Sequence, residues 1–460
     1  MEKWLKPALD YIPRWIDFQR RRFELPGVAF AVAAHGKVVL EEAFGHADAA
    51  KGTALTPRHG FRVASHSKSF TAAGIMKLRE EGRLSLDDRA GRHVDGLHPR
   101  VAEVTIAQLL SHGAGIIRDG IDSGQWDDSR PFRDAGELRD DLAEPPILES
   151  SARFKYSNHG YGLAGLIIEA VTGEAYGPWI KRAIVEPAGL LETEPDMPTA
   201  RSAPFARGHS PTLPFGRRWV IPGENPTLAL APATGFVSTA ADLARFFAQL
   251  DPDAKRSVLS PTSRREMTRR QWRVPHSSLE RYYGLGIIAG SFGNDWDWFG
   301  HSGGFQGYIT RTAVLPGRGL ALSVLTNAVD GLANLWLDGA IHILRAFARH
   351  GAPAAKVRDW TGRWWNLWGA VDLVPMGEKV VVAMPDLGNP LLDDSELAIA
   401  GRDRGRIALA GGYGSHGERA ERTRTAGGKP SELWLGGIRF VPEARLVSET
   451  ARRYGRREKR

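Results

Sequence analysis

Cysteine is absent from all 460 residues. That absence excludes disulfide frameworks, thiolate zinc sites, iron–sulfur ligation and a cysteine nucleophile at once. Long apolar runs are missing too. In the first 22 residues Trp4, Leu5, Leu9, Ile12 and Ile16 are interrupted by Lys3, Lys6, Asp10, Pro13 and Arg14. Neither an export signal nor a membrane span fits that pattern. The amino terminus therefore reads as a surface helix packed on the body, with a cytoplasmic address as the default. No H-E-x-x-H pair occurs among the 14 histidines, and no metal or other cofactor is expected.

What is present is ordinary for a folded chain. Hydrophobic residues make up 42% and charged residues 25%, a balance that buries a core and excludes disorder, collagen and coiled coil. The length suits two or three domains. Net charge is +8, but Arg452 to Arg460 hold six basic residues and one Glu, which is +5 of that total. The remainder is nearly balanced, so the charge describes a solvated basic tail rather than a nucleic-acid binder.

Punctuation by glycine and proline gives the order of elements. Gly27 to Gly45 reads as a hairpin around His35-Gly36-Lys37, and Ser69 to Glu81 as a helix closed by Gly82. A second helix is expected over Gly160 to Val171, capped by Ser157 and Asn158 and ended by Gly173. Residues 119–149 and 199–232 show no clear period and read as long loops that shape a cleft. Tyr308 to Leu315 and Gly319 to Thr326 form a hairpin, followed by a closing helix over Ala340 to Ala348. Strands at both ends with helices between them favour an α+β sheet built from distant pieces. Beyond the linker 351–355, short runs at Lys379–Met384, Arg406–Ala410 and Leu433–Val441 predict a small, mostly β, barrel-like domain. Trp360, Trp364, Trp365 and Trp368 are expected to be buried aromatics closing that barrel. The division is thus 1–350, 356–450 and a basic tail over 451–460.

Ser65-His66-Ser67-Lys68 opens the first helix, and a spacing of three puts the Ser65 hydroxyl and the Lys68 amine on one face. A serine needs a proton acceptor before it attacks. A lysine at a helix N-terminus, short of water, is pushed toward the neutral form that can accept one. Alone the pair is a weak signal. It is joined by Tyr156-Ser157-Asn158 at the second helix and by His301-Ser302-Gly303-Gly304 before the later hairpin.

The three motifs in this order resemble the serine β-lactamase and penicillin-binding-protein superfamily, and within it the class C β-lactamase-related group of D-aminopeptidases, esterases and DD-peptidases. The resemblance runs from about Leu25 to Arg349. It includes Leu25-Pro26-Gly27-Val28, Phe61-Arg62-Val63-Ala64-Ser65, Glu81 to Asp88, Thr105 to His112 and Ser238 to Leu243. It implies a β-lactamase/transpeptidase-like domain in which Ser65 is the nucleophile, Lys68 its base and Tyr156 the proton shuttle. Asn158 would hold the acyl amide. The amides of Ser65 and Gly304 would form the oxyanion hole, with Gly303 letting the strand lie close to substrate.

The third motif departs from the family's K-T-G, because His301 stands where a lysine is usual. A histidine grips a carboxylate less firmly at neutral pH, which points away from β-lactamase and carboxypeptidase activity and toward the amidase and esterase members. The expected function is metal-independent hydrolysis of amides, peptides or esters through an acyl-enzyme. The substrate is a small molecule or short peptide, and a homodimer is allowed. An acyltransferase of the same family and a penicillin-binding-like receptor without turnover stand as alternatives. Gly300 to Gly304 also matches the G-x-S-x-G elbow, but no helix is expected after Ser302. His112 reads as a buried, hydrogen-bonded residue, whereas His66 and His159 are candidates for the cleft wall.

Overall fold

Gly27–Ala34 and Lys37–Asp48 form the expected hairpin, turning through His35 and Gly36 at φ 48° and 78°. The computed structural model describes residues 2–455 apart from 201, 202, 276, 278, 294, 393, 412 and 413. Residues 456–460 of the basic tail lie outside that set. The chain divides into two compact units, one of Leu25–Leu337 and one of Met1–Glu24 with Asp338–Arg460.

In the Leu25–Leu337 unit, Gly27–Ala34 pairs antiparallel with Leu320–Thr326, from Val28 opposite Thr326 to Ala34 opposite Leu320. The sheet therefore joins the two ends of the unit, as the order of elements predicts. It continues through Tyr308–Leu315 and Asp297–Phe305 to three short strands, Ile288–Ser291, Arg281–Tyr283 and Trp272–Arg273. Every residue of Gly27–Ala34 and Leu320–Thr326 is buried. The Ala240–Gln249 helix lies across these strands, its first turn capped by Thr239.

Two helices carry the motifs. Ser67–Glu80 is buried along most of its length, with Phe70 stacked between Phe236 at 4.3 Å and Phe246 at 3.9 Å. Its chain reverses at Gly82, φ 70°, the left-handed position glycine fills without strain. Asn158–Thr172 starts at Ser157, whose hydroxyl accepts the Gly160 amide at 2.8 Å, and stops at the left-handed Gly173. The stretch 119–149 is not all loop. Ala135–Leu142 is a helix with a capping box between Asp134 and Glu137, too short and charged for its period to stand out.

In the other unit, eight antiparallel strands run in sequence order from Gly362–Asn366 to Ile438–Phe440. The ends of the row meet where Trp365 and Val441 exchange two backbone hydrogen bonds of 2.8 Å, so the sheet almost closes into a barrel. The run Leu433–Val441 is two strands and not one, because Gly436 and Gly437 both take positive φ and turn the chain. Leu5–Arg22 forms the amino-terminal helix of this unit. It is no mere surface helix, since Ile12, Trp15 and Ile16 are fully buried and Tyr11 donates to Asp372 at 3.0 Å.

The tryptophan expectation holds in part. Trp360 and Trp364 are buried in the barrel core, but Trp368 is 96% exposed, because it sits at a hairpin tip beyond the reach of that core. The Arg422 guanidinium lies 4.1 Å from the Trp360 ring and donates to the Asp359 carboxylate at 3.0 Å. Trp360→Ala should leave a cavity beneath that ion pair and cost about 3–5 kcal/mol. Denaturant unfolding of the full chain would show this as a lower midpoint for one transition.

Candidate active site

Ser65 lies in the tight turn Ala64–His66 that leads into the Ser67–Glu80 helix. The turn holds Ala64 at φ 50°, a left-handed conformation that costs a non-glycine residue energy and needs its surroundings to enforce it. Ser67 supplies the enforcement. Its hydroxyl donates to the Ala64 carbonyl at 2.5 Å and accepts the Phe236 amide at 3.0 Å, while the Val63 amide donates to the Phe236 carbonyl at 3.0 Å. The half-buried Ser65 hydroxyl is thereby fixed at the head of the helix.

Lys68, one turn on, is completely buried. Its Nζ donates to Asn158 Oδ1 at 2.7 Å and to the Ala233 carbonyl at 2.9 Å, and lies 3.3 Å from Ser65 Oγ. Burial pushes the amine well below its ordinary range, Asp119 opposing and Arg118 adding to the fall. A neutral amine has two N–H groups and one lone pair. In that form both N–H groups are committed to Asn158 and Ala233, and the lone pair would face Ser65 Oγ. Tyr156 donates to the same Oγ at 2.8 Å, and burial raises its phenol, so it stays protonated.

Asn158 cannot turn its carboxamide around freely. Its Nδ2 donates to Asp119 Oδ1 at 2.6 Å, and a carboxylate accepts only an N–H, so Oδ1 must face Lys68. Asp119 is itself buried and held by Arg118 Nε at 3.0 Å. Neither Asp119 nor the Ala233 carbonyl was foreseen. Asp119 opens the aperiodic stretch 119–149, where no motif marks it, and a main-chain carbonyl leaves no trace in sequence.

The third motif lies on Asp297–Phe305. On this strand the short Ile288–Ser291 reaches only Asp297–Gly300, so among the described residues His301–Phe305 keeps Tyr308–Leu315 as its one partner strand. Gly303 is sterically required: a Cβ there would stand 2.2 Å from the Val63 carbonyl oxygen and 2.5 Å from Thr310 Oγ1. Gly304 is exposed and meets nothing closer than 3.7 Å. His301 is buried with both ring nitrogens engaged. Nδ1–H donates to the Ser302 carbonyl at 2.7 Å, and Nε2 accepts from the Tyr283 hydroxyl at 3.0 Å. Burial, with His66 and Lys68 nearby, holds this imidazole far below its usual range, so it is neutral.

His112 is buried as expected. It accepts the Ser157 amide at 3.1 Å and lies against the Tyr156 ring, centroids 4.1 Å apart. His66 and His159 are not cleft walls, since both are fully buried. His66 is fastened to the Val63 carbonyl and Thr312 and pushed down to about 4, chiefly by burial; His159 donates to Asp141 at 2.8 Å. Ser302 sits within a strand, which removes the nucleophile-elbow reading. Among the described residues, no group of three His, Asp or Glu side chains is placed to hold a metal ion.

A sequence profile of the Beta-lactamase family matches residues 15–338. The chain belongs to the Beta-lactamase family of serine hydrolases. Penicillin-binding protein 4 of Amycolatopsis lactamdurans is 29% identical over 336 residues, 68% of this chain and 83% of that protein. Protein flp of Staphylococcus aureus (strain COL) is 31% identical over 182 residues, 39% of this chain and only 36% of that protein's length. Among solved structures, the octameric penicillin-binding protein homologue from Pyrococcus abyssi has a similar fold, with a TM-score of 0.64 at 22% identity. That similarity covers 94% of this chain and 99% of that one. The D-amino acid amidase of Ochrobactrum anthropi SV3, complexed with L-phenylalanine amide, reaches 0.64 at 25% identity, covering 74% and 98% of the two chains. The family match spans most of the stretch that carries the motif resemblance.

The two glycines of the third motif make a paired test. Gly303→Ala should force the strand off the Val63 carbonyl and remove most activity, whereas Gly304→Ala should keep the fold and most of the rate. Initial rates of p-nitrophenyl butyrate hydrolysis, read beside thermal unfolding, check both.

Proposed function

We propose that the protein is a metal-independent serine hydrolase that cleaves amide, peptide or ester bonds through an acyl-enzyme, with D-amino acid amides and D-aminopeptidase substrates first in line. The observation that carries the reading is the fully buried Lys68 amine, held by Asn158 Oδ1 at 2.7 Å and the Ala233 carbonyl at 2.9 Å, with Nζ 3.3 Å from Ser65 Oγ. As Oγ attacks the carbonyl carbon, its proton passes to Nζ. The tetrahedral oxyanion is held by the Ser65 and Gly304 amides. Collapse breaks the bond to the leaving amine or alcohol, which takes a proton from Tyr156, and Lys68 returns one to the phenolate. Water then attacks the ester carbonyl, its proton moving through Tyr156, and Ser65 is regenerated.

The choice of substrate rests on His301. A neutral imidazole with no free N–H cannot pair with a substrate carboxylate, and this supports amide and ester substrates over β-lactams or peptide C-termini. The amidase among the similar structures agrees with that choice. An amine that competes with water for the acyl-enzyme would make the same site a transferase.

Hydrolysis of D- and L-alanine p-nitroanilides beside p-nitrophenyl butyrate tests the reading. Ser65→Ala should lower kcat by on the order of 10⁶ and Lys68→Ala by about 10²–10⁴, with the double variant no worse than Ser65→Ala. A D-anilide preference that needs Ser65 supports the aminopeptidase or amidase. Ester cleavage with both anilides inert makes it an esterase, and stoichiometric labelling of Ser65 without turnover overturns hydrolysis.

The Asp119 geometry adds a pH test. Activity is lost as pH falls and Lys68 gains its proton, and the Asp119 carboxylate favours that protonated form, against Arg118, with His112 and His301 also nearby. Asp119→Asn removes the charge, so the acid limb of kcat/KM should move to lower pH. Asp119→Ala also frees the Asn158 carboxamide and should cost on the order of tenfold in kcat. An unmoved acid limb in both variants would show that Asp119 is only structural.

A further inference from the structure

The neutral His301, with both ring nitrogens engaged, leaves the third-motif side of the site without a cation. The opposite side has one. Arg118 directly precedes Asp119, and its carbonyl accepts the Asn158 amide at 2.9 Å and the His159 amide at 3.2 Å, which pins its backbone to the head of the Asn158–Thr172 helix. Its side chain is 65% exposed. The guanidinium carbon lies 5.6 Å from the centroid of the Tyr156 ring, whose hydroxyl donates to Ser65 Oγ at 2.8 Å. The cation thus stands one aromatic ring away from the nucleophile.

Asp119 occupies only part of this cation. Nε lies 3.0 Å from Asp119 Oδ2, and the Nη groups have no hydrogen-bond partner among the described residues. An arginine held at one edge keeps a planar fork of donors that matches a carboxylate. Lys155 stands close by. Its backbone amide donates to the His112 carbonyl at 2.8 Å, and its half-buried side chain has no acidic partner among the described residues. Burial lowers this amine and the charge of Arg118 adds to the fall, as two neighbouring cations short of anions require. Among the described residues Asp119 is the one carboxylate whose charge reaches Lys68, Lys155 and Tyr156, and it is already shared between Asn158 and Arg118.

We infer that Arg118, flanked by Lys155, is a specificity-determining residue that takes a carboxylate on the acyl half of the substrate, so that amides or esters of acidic D-residues are preferred. The inference rests on the hydrolase reading above. The acyl half is the one concerned because Arg118 is joined through Asp119 to Asn158, the residue that would hold the acyl amide. A carboxylate on an arm of two methylenes spans the interval between the scissile carbonyl and the guanidinium. The rim is open to water, so the contact should be worth about tenfold in affinity and no more.

Calorimetric titration of Ser65→Ala at neutral pH with the α-amide of D-glutamate and with D-glutamine amide tests this, since the two ligands share a shape and differ by one charge. The acid should bind about tenfold more tightly, and the difference should shrink as salt rises from about 0.1 to 0.5 M. Adding Arg118→Gln should bring the two affinities together, while Arg118→Lys should restore part of the preference. A merely structural role for Arg118 would weaken both ligands alike and leave their ratio in place. Equal binding, binding of neither ligand, or a ratio that Arg118→Gln does not move would overturn the inference. Its failure is distinct from that of the hydrolase reading. Hydrolysis of p-nitrophenyl butyrate that needs Ser65 would keep the hydrolase while this inference falls, and charge-selective binding that needs Arg118 without any turnover would do the reverse.

Discussion

A lysine amine enclosed by protein cannot keep its charge cheaply, and the catalytic unit is organised around that fact. Water is excluded from Lys68 by the helix it stands on, by Tyr156 and by Tyr161, whose ring centroids lie 4.7 and 5.4 Å from Nζ. Desolvation pushes the amine toward its neutral form. Its hydrogen bonds then decide what that base points at, because Asn158 and the Ala233 carbonyl use up the donors and leave the acceptor side for serine. Burial alone would give a neutral lysine with no direction, and the two acceptors alone would give an ion pair's worth of polarity with no basicity.

The sheet exists, from this point of view, to bring a third element to the same place. Gly27–Ala34 and Leu320–Thr326 bind the ends of the unit together, and Tyr308–Leu315 carries Asp297–Phe305 beside the Ala64–His66 turn. The approach is so close that Gly303 is packed against the Val63 carbonyl. Thr312, opposite His301 in the register, receives His66 from that turn. The buried His66 imidazole fastens the sheet to the helix head.

This division of labour explains which parts were readable from the sequence. Ser65 and Lys68 share a helical face by spacing alone, and Ser157 and Gly173 bracket their helix with chemistry that any chain uses. The hairpin of Tyr308–Thr326 is announced by alternation and Pro316-Gly317. His66 and His159 look like cleft residues because they neighbour motif residues, yet adjacency along a chain says nothing about which side of a helix is filled. Asp119 was hidden for the opposite reason: its partner is 39 positions away, and only the folded loop brings the two together. Trp368 departs from the expectation because four clustered tryptophans suggest one shared core, whereas a tight turn puts this one outside.

The barrel of the other unit is closed by a single pair of residues. Trp365 and Val441 exchange two backbone hydrogen bonds, while each of the other neighbouring strand pairs is joined by three or more residue pairs. A seam held so lightly is where the sheet opens first, and the amides of Trp365 and Val441 will exchange with solvent ahead of those inside the ladder. Opening there creates two free strand edges at once, Gly362–Asn366 and Ile438–Phe440, each with unpaired amides and carbonyls. The unit therefore carries, within its native topology, a built-in route by which one copy could trade a strand with another without first losing its core.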